Sequence, residues 1–162
     1  MITQAVGRRP RTTVTKRGFE IMYRLKINSD FNVEQVLQIY RQEKWLKPEK
    51  DNKKLLKKMI AGSYAFAGLY KDDEIIGIGR ITSDGVSDAY IHDVAVRKEY
   101  RGRGLGVKIV KALLAYISRK GIDWIVLIAQ PGTKIFWNKL GFSIMKAYIP
   151  MKLRKQVAVR KP

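Results

Sequence analysis

Cysteine is absent from the 162 residues, and histidine occurs once, as His92. The first absence excludes a disulfide framework, a thiolate metal site and a cysteine nucleophile. It also removes any redox argument about compartment, so the cytoplasm stands as the default. No apolar run approaches the ~20 residues that span a bilayer. The N-terminal stretch lacks the apolar core of a secretory signal, so neither membrane insertion nor export is expected. Acids are scarce, with 14 Asp+Glu against 33 Lys+Arg and a formal charge of +19. A field of that size attracts polyanions such as nucleic acid, an anionic membrane or a phosphorylated small molecule. Charge alone specifies no site, and a solvated basic surface accounts for it as well.

What is present describes one globular α/β domain: 46% of the residues are apolar and spread along the chain. Residues 1–18 are basic, with Arg8, Arg9, Arg11, Lys16 and Arg17 and no acid. They read as a flexible arm, and organellar targeting by this arm stays open. The domain is expected over 19–153, with a basic tail at 154–162.

Phe19 to Ile27 partly alternates and predicts a first strand. Asp30 or Asn32 is placed to cap a helix carrying Val33, Val36, Leu37 and Tyr40. Asp51 is placed to cap a second, with Leu55, Leu56, Met59 and Ile60 inward. Tyr64–Tyr70 and Glu74–Ser83 predict a hairpin across a short polar turn, and Ala89–Val96 a fourth strand. Leu105, Ile109, Leu113 and Ile117 recur every four residues, as on an amphipathic helix. Ile122–Ala129, nearly all apolar, predicts a strand buried on both faces. A short helix carrying Ile135, Phe136 and Leu140 follows, then a strand or bent pair over Phe142–Leu153. This order implies a mixed sheet covered by helices.

Between the fourth strand and the long helix lies Arg101-Gly102-Arg103-Gly104-Leu105-Gly106. Glycines there allow positive φ and close approach of a ligand. The first amides of the helix have no intrahelical acceptor and form an anion nest for a phosphate or pyrophosphate. Arg101 and Arg103 add charge at the same place. A surface turn that merely needs glycine, or a contact to nucleic-acid phosphate, is the competing reading. A P-loop is excluded, because Val107-Lys108 stands where Lys-Ser/Thr is required. A dinucleotide fold is excluded too, since Val107 or Ile109 replaces its third small residue and Asp123 begins, rather than ends, the next strand.

These residues resemble the GNAT superfamily of N-acetyltransferases. Its signature, Arg/Gln-x-x-Gly-x-Gly/Ala after a strand, reads here as Arg101, Gly104 and Gly106. A second block, Ile135-Phe-Trp-Asn-Lys-Leu-Gly-Phe142, is similar to the family's Phe-Tyr-x-x-Leu-Gly-Phe. The resemblance covers about residues 20–153. It implies a GNAT-like acyl-CoA N-acyltransferase fold, with a mixed, mostly antiparallel sheet and helices on both faces. It further implies acetyl-CoA as co-substrate, with no metal. Backbone groups along Val94, Ala95 and Val96 would pair with the pantetheine arm. The amides of Gly102, Arg103, Gly104, Leu105, Gly106 and Val107 would hold the pyrophosphate.

Ala89–Val96 is especially similar to the aralkylamine N-acetyltransferase branch, where the position of His92 holds a base acting through water. Strand alternation puts Tyr90 on the face of His92 and Asp93 on the other. An imidazole near pKa ~6.5 suits proton relay from an ammonium near ~10. A half-buried histidine with no titrating role is the alternative. Trp137 departs from the family, which usually has a tyrosine there to protonate the leaving thiolate. Indole N–H donates a hydrogen bond but no proton; a thiol of pKa ~8.5, by analogy with cysteine, can leave as the thiolate, or Tyr90 or Tyr148 substitutes. The acceptor readings are a small primary amine, or a protein N-terminus or lysine. A third reading is a weakly catalytic acyl-CoA-binding or nucleic-acid-associated module using the basic termini. A monomer or homodimer is expected.

Overall fold

A computed structural model describes residues 22–46 and 52–153. The arm at 1–18, the tail at 154–162, the start of the first strand and the cap at Asp51 lie outside these residues. The described chain forms two compact units, one ending at Val126 and one beginning at Leu127.

In the first unit, β1 (Tyr23–Ile27) leads to α1 (Val33–Gln42). Asn32 caps α1 from an extended conformation, its side chain accepting from the amides of Glu34 at 3.0 Å and Gln35 at 3.3 Å. Glu34 complements the dipole, and Val36, Leu37, Ile39 and Tyr40 are buried. The helix α2 (Asn52–Ala61) buries Leu56, but Leu55, expected inward, is 38% exposed. At 100° per residue, Leu55 and Leu56 do not share a narrow buried stripe.

Strands β2 (Ala65–Lys71) and β3 (Glu74–Ser83) form the expected hairpin, with Asp72 turning at φ +52°. Then come β4 (Asp88–Val96), α3 (Leu105–Ser118) and β5 (Trp124–Val126). The five strands lie in the order β1-β2-β3-β4-β5, antiparallel except for the parallel pair β4–β5. The sheet is thus mixed and mostly antiparallel.

Helices cover both faces. Phe66, Tyr70, Ile75, Ile78 and Ala95 form one core cluster with Leu56 of α2 and the buried residues of α1. On the opposite face Leu105, Ile109, Leu113 and Ile117 of α3 are buried, each contributing roughly 1.5–3 kcal/mol. Gly77 and Gly79 allow α3 to sit that close. A Cβ at either would lie 2.8 Å from a side-chain carbon of Ile109.

Two strand expectations are corrected. The run Ile122–Ala129 yields only the three residues of β5, and Trp124 is 48% exposed. Among the described residues β5 is an edge strand paired only to β4, so it is not buried on both sides. In the second unit, α4 (Lys134–Asn138) forms, with Ile135 70% exposed. Phe142–Leu153 contains no strand. Its apolar residues include Ile149 and Met151, both strongly exposed, and Pro150 between them has no N–H for a ladder. Among the described residues, no helix is long and apolar enough to cross a membrane.

Candidate active site

Strand β4 has two unequal edges. Toward β3 it is paired from Ala89 to Val96. Toward β5 the pairing covers only Asp88, Ala89 and Tyr90. From Ile91 to Val96 that second edge has no strand partner among the described residues. Val94, Ala95 and Val96 lie on this stretch.

A bulge interrupts β4 in its middle. Arg80 is opposite His92 and Ile78 opposite Ala95, so Gly79 alone faces both Asp93 and Val94. Asp93 takes φ +50°, a left-handed conformation that Asp tolerates better than most residues. The extra residue breaks the alternation that put Asp93 on the other face. Its carboxylate instead accepts from Arg80 Nε at 2.5 Å and from the hydroxyl of Tyr40 on α1 at 2.8 Å. Arg80 is opposite His92, and Tyr40 belongs to the α1 core cluster, so Asp93 and His92 share the α1 face. Burial first, then the Asp93 charge and hydrogen bond, raise the Tyr40 hydroxyl far above an ordinary phenol. It therefore stays a donor.

His92 is partly buried between two strands. Its Nε2 lies 2.8 Å from Thr82 Oγ1 on β3, and its ring is 4.3 Å from that of Tyr90, tilted by 40°. Tyr90 does share its face, as alternation predicts. Burial holds the imidazole below its ordinary value, the Arg80 charge adds to this, and Asp93 opposes it. The shift favours the neutral ring.

Beyond β4, a single 3₁₀ turn (Lys98–Tyr100) leads into the glycine-rich loop. Gly102 and Gly104 have φ of +75° and +72°, and no atom lies within 4 Å of a Cβ built on either. Gly104 is the N-cap of α3 and supplies no side chain, and the first turn of α3 carries no acid. The amides from Leu105 to Val107 thus begin a helix without the side-chain cap and acid that α1 possesses.

The arginines of the loop are held from behind. Arg101 Nε donates to the Val96 carbonyl at 2.9 Å and its guanidinium pairs with Glu43. Arg103 donates to the Glu99 carbonyl at 3.2 Å and lies over the Tyr100 ring. The last turns of α1 complete the support. Gln42 accepts from the Lys98 amide at 3.0 Å, and Gln38 accepts from Arg97, which also pairs with Glu74.

In the second unit, Trp137 packs edge-on against Phe136 and Phe142, with ring centres 4.9 and 5.5 Å apart. The Phe142 amide donates to the Trp137 carbonyl at 3.2 Å. Trp137 thus has a packing role there; Tyr148 is mostly exposed.

Sequence reasoning missed Tyr40, Arg80, Thr82, Gln38, Gln42 and Glu43. Two of these groups left a signal. Arg80 is the one charge within Ile75–Thr82, and Gln38 and Gln42 are four apart on one helix face.

Comparisons with known proteins agree with this architecture. A GNAT-family acetyltransferase from Streptococcus pneumoniae superposes with a TM-score of 0.71 at 19% identity, over 83% of this chain and all of that one. An uncharacterised N-acetyltransferase of Prochlorococcus marinus is 34% identical over 93 residues, 55% of this chain and 52% of the relative. A chloroplastic serotonin N-acetyltransferase of rice is 35% identical over 69 residues, 43% of this chain and 34% of that protein. The chain thus matches about half the length of the first of these relatives and a third of the second. A sequence model described as the acetyltransferase (GNAT) family matches residues 31–142, and the chain therefore belongs to that family.

Proposed function

We propose that the protein transfers an acetyl group from acetyl-CoA to a small primary amine, with both reactants bound together and His92 as the base. One observation carries the reading. From Ile91 to Val96 one edge of β4 has no strand partner among the described residues, and a 3₁₀ turn and the glycine-rich loop lead from its end to the start of α3, which lacks a side-chain cap.

The chain's own groups fit the cofactor. Backbone groups along Val94, Ala95 and Val96 would pair with the pantetheine arm, with the Val96 carbonyl shared with Arg101 Nε. The amides of Gly102 to Val107 suit the pyrophosphate, since the helix dipole and successive free N–H groups favour an anion there. Arg101 acts from behind by fixing the end of β4, and Arg103 adds positive field at the loop. Bound acetyl-CoA supplies the activated thioester.

An alkylammonium near pKa ~10 must lose a proton before it can attack. His92, whose neutral form burial favours, is available to take that proton directly or through a water. Tyr90, whose tilted ring lies 4.3 Å from the imidazole on the same face, is the phenol placed to share the relay. Trp137 has no proton to give; a thiol of pKa ~8.5, by analogy with cysteine, leaves as the thiolate without one.

A small acceptor is favoured over a polycationic peptide because a +19 chain repels polycations at long range. The similarity to a serotonin N-acetyltransferase supports the same choice. Thiol release with acetyl-CoA and a panel of amines and peptides tests the reading, with calorimetry for the cofactor. His92→Ala should lower kcat by roughly 10²–10⁴, leave acetyl-CoA affinity unchanged and remove the acidic limb of the pH–rate profile. An unaltered rate and profile would return His92 to a structural role.

A further inference from the structure

We propose that Thr82 is a positioning residue that fixes the tautomer of His92, so that Nδ1 is the nitrogen that takes the acceptor's proton. The inference rests on His92 being the base.

The argument starts from the register. Thr82 is directly opposite Tyr90, and His92 is opposite Arg80. Thr82 and His92 are therefore diagonal neighbours on one face, a spacing that long or ring side chains can bridge. They do so at 2.8 Å, through Nε2. The β-branched threonine has few rotamers in a strand, so its Oγ1 is a fixed target.

A neutral imidazole carries one proton, and a base needs its bare nitrogen toward the substrate. Nε2 is engaged by Thr82 at 2.8 Å, so Nδ1 is the ring nitrogen left to face an amine. Nδ1 must then be the bare nitrogen, Nε2 must carry the hydrogen, and Thr82 Oγ1 must accept it. After proton uptake both nitrogens donate, and the Thr82 oxygen steadies the cation. The charged and titratable groups around the ring are Arg80 on β3 and Tyr90 and Asp93 on β4. Tyr40 of α1 acts on them through Asp93. None of these replaces a hydroxyl at Nε2.

The test uses the fact that His92 is the only histidine. In the full chain labelled with ¹⁵N-histidine, one imidazole is observed without assignment. The wild-type ring should show a protonated Nε2 and an unprotonated Nδ1. Thr82→Val keeps the shape and removes the oxygen. It should mix the tautomers, lower kcat about tenfold and move the acidic limb to lower pH, with acetyl-CoA affinity unchanged. Thr82→Ser should restore both tautomer and rate.

A wild-type ring protonated at Nδ1 would overturn the proposal, and so would a Thr82→Val protein with wild-type tautomer and kcat. If Thr82→Val does not fold, the wild-type spectrum alone decides. The His92→Ala variant separates the two levels. Full activity there defeats the base assignment itself, whereas loss of activity with a silent Thr82→Val defeats only the role of Thr82.

Discussion

Replacing Asp93 with asparagine separates charge from shape at the centre of the site. Asparagine tolerates the positive φ of this position and keeps an oxygen to accept from Tyr40. What disappears is the negative charge beside Arg80, whose side chain is only 15% exposed. A hydrogen bond between charged groups is worth about 1.5–3 kcal/mol, so Asp93→Asn should cost about 2 kcal/mol. For a chain of this size roughly 2–4 °C accompanies each kcal/mol, which gives a fall in Tm of about 4–8 °C. The second effect is electrostatic. Asp93 is the group that opposes burial and Arg80 at His92, so its loss makes the imidazolium costlier still. The His92 pKa must fall further, and activity that needs the neutral ring must persist to lower pH. Urea unfolding and a ¹⁵N-histidine titration read the two effects separately. An unchanged unfolding midpoint, or a His92 pKa that rises, would refute the reasoning.

Two further outcomes follow from the loop and the arm. Gly104→Val forces a β-branched residue to φ +72°, a strain of about 1–3 kcal/mol. The free protein has room for the side chain, so the fold should survive while calorimetry shows acetyl-CoA binding lost; unchanged affinity would remove the loop from the cofactor site. Deleting residues 1–18 should flatten the salt dependence of binding to DNA and leave acetyl-CoA affinity unchanged, because counterion release scales with the basic contacts made. DNA affinity and salt slope identical to the full chain would leave the charge as a solvated surface.

Local rules carried most of the first unit. Asn32, the Asp72-Asp73 turn and the four-residue spacing from Leu105 to Ile117 each act within a few residues, and each is where the sequence predicts. The glycine loop was legible for the same reason. What failed was non-local. The bulge at Asp93 is set by Gly79, Arg80 and Tyr40, which lie far from it in sequence, and strict alternation cannot anticipate the extra residue. Thr82 became visible only once the β3–β4 register was known. The extent of β5 and the lack of a strand in Phe142–Leu153 depend on pairing partners rather than on apolar content. Ile122–Ala129 and Ile149–Leu153 were apolar enough for strands, yet hydrophobic composition specifies no neighbour.

Gly77 and Gly79 hold a consequence for any attempt to redesign this enzyme. Both are missing side chains beneath α3, and Gly77 also backs onto the Ala95 carbonyl, 3.1 Å from where its Cβ would be. A single methyl there would displace the end of the Ile109 side chain and crowd the Ala95 carbonyl at once. The seating of α3 on the sheet is therefore gauged from below, by two positions without side chains. These two hydrogens thus set how closely the helix that follows the glycine-rich loop approaches β3.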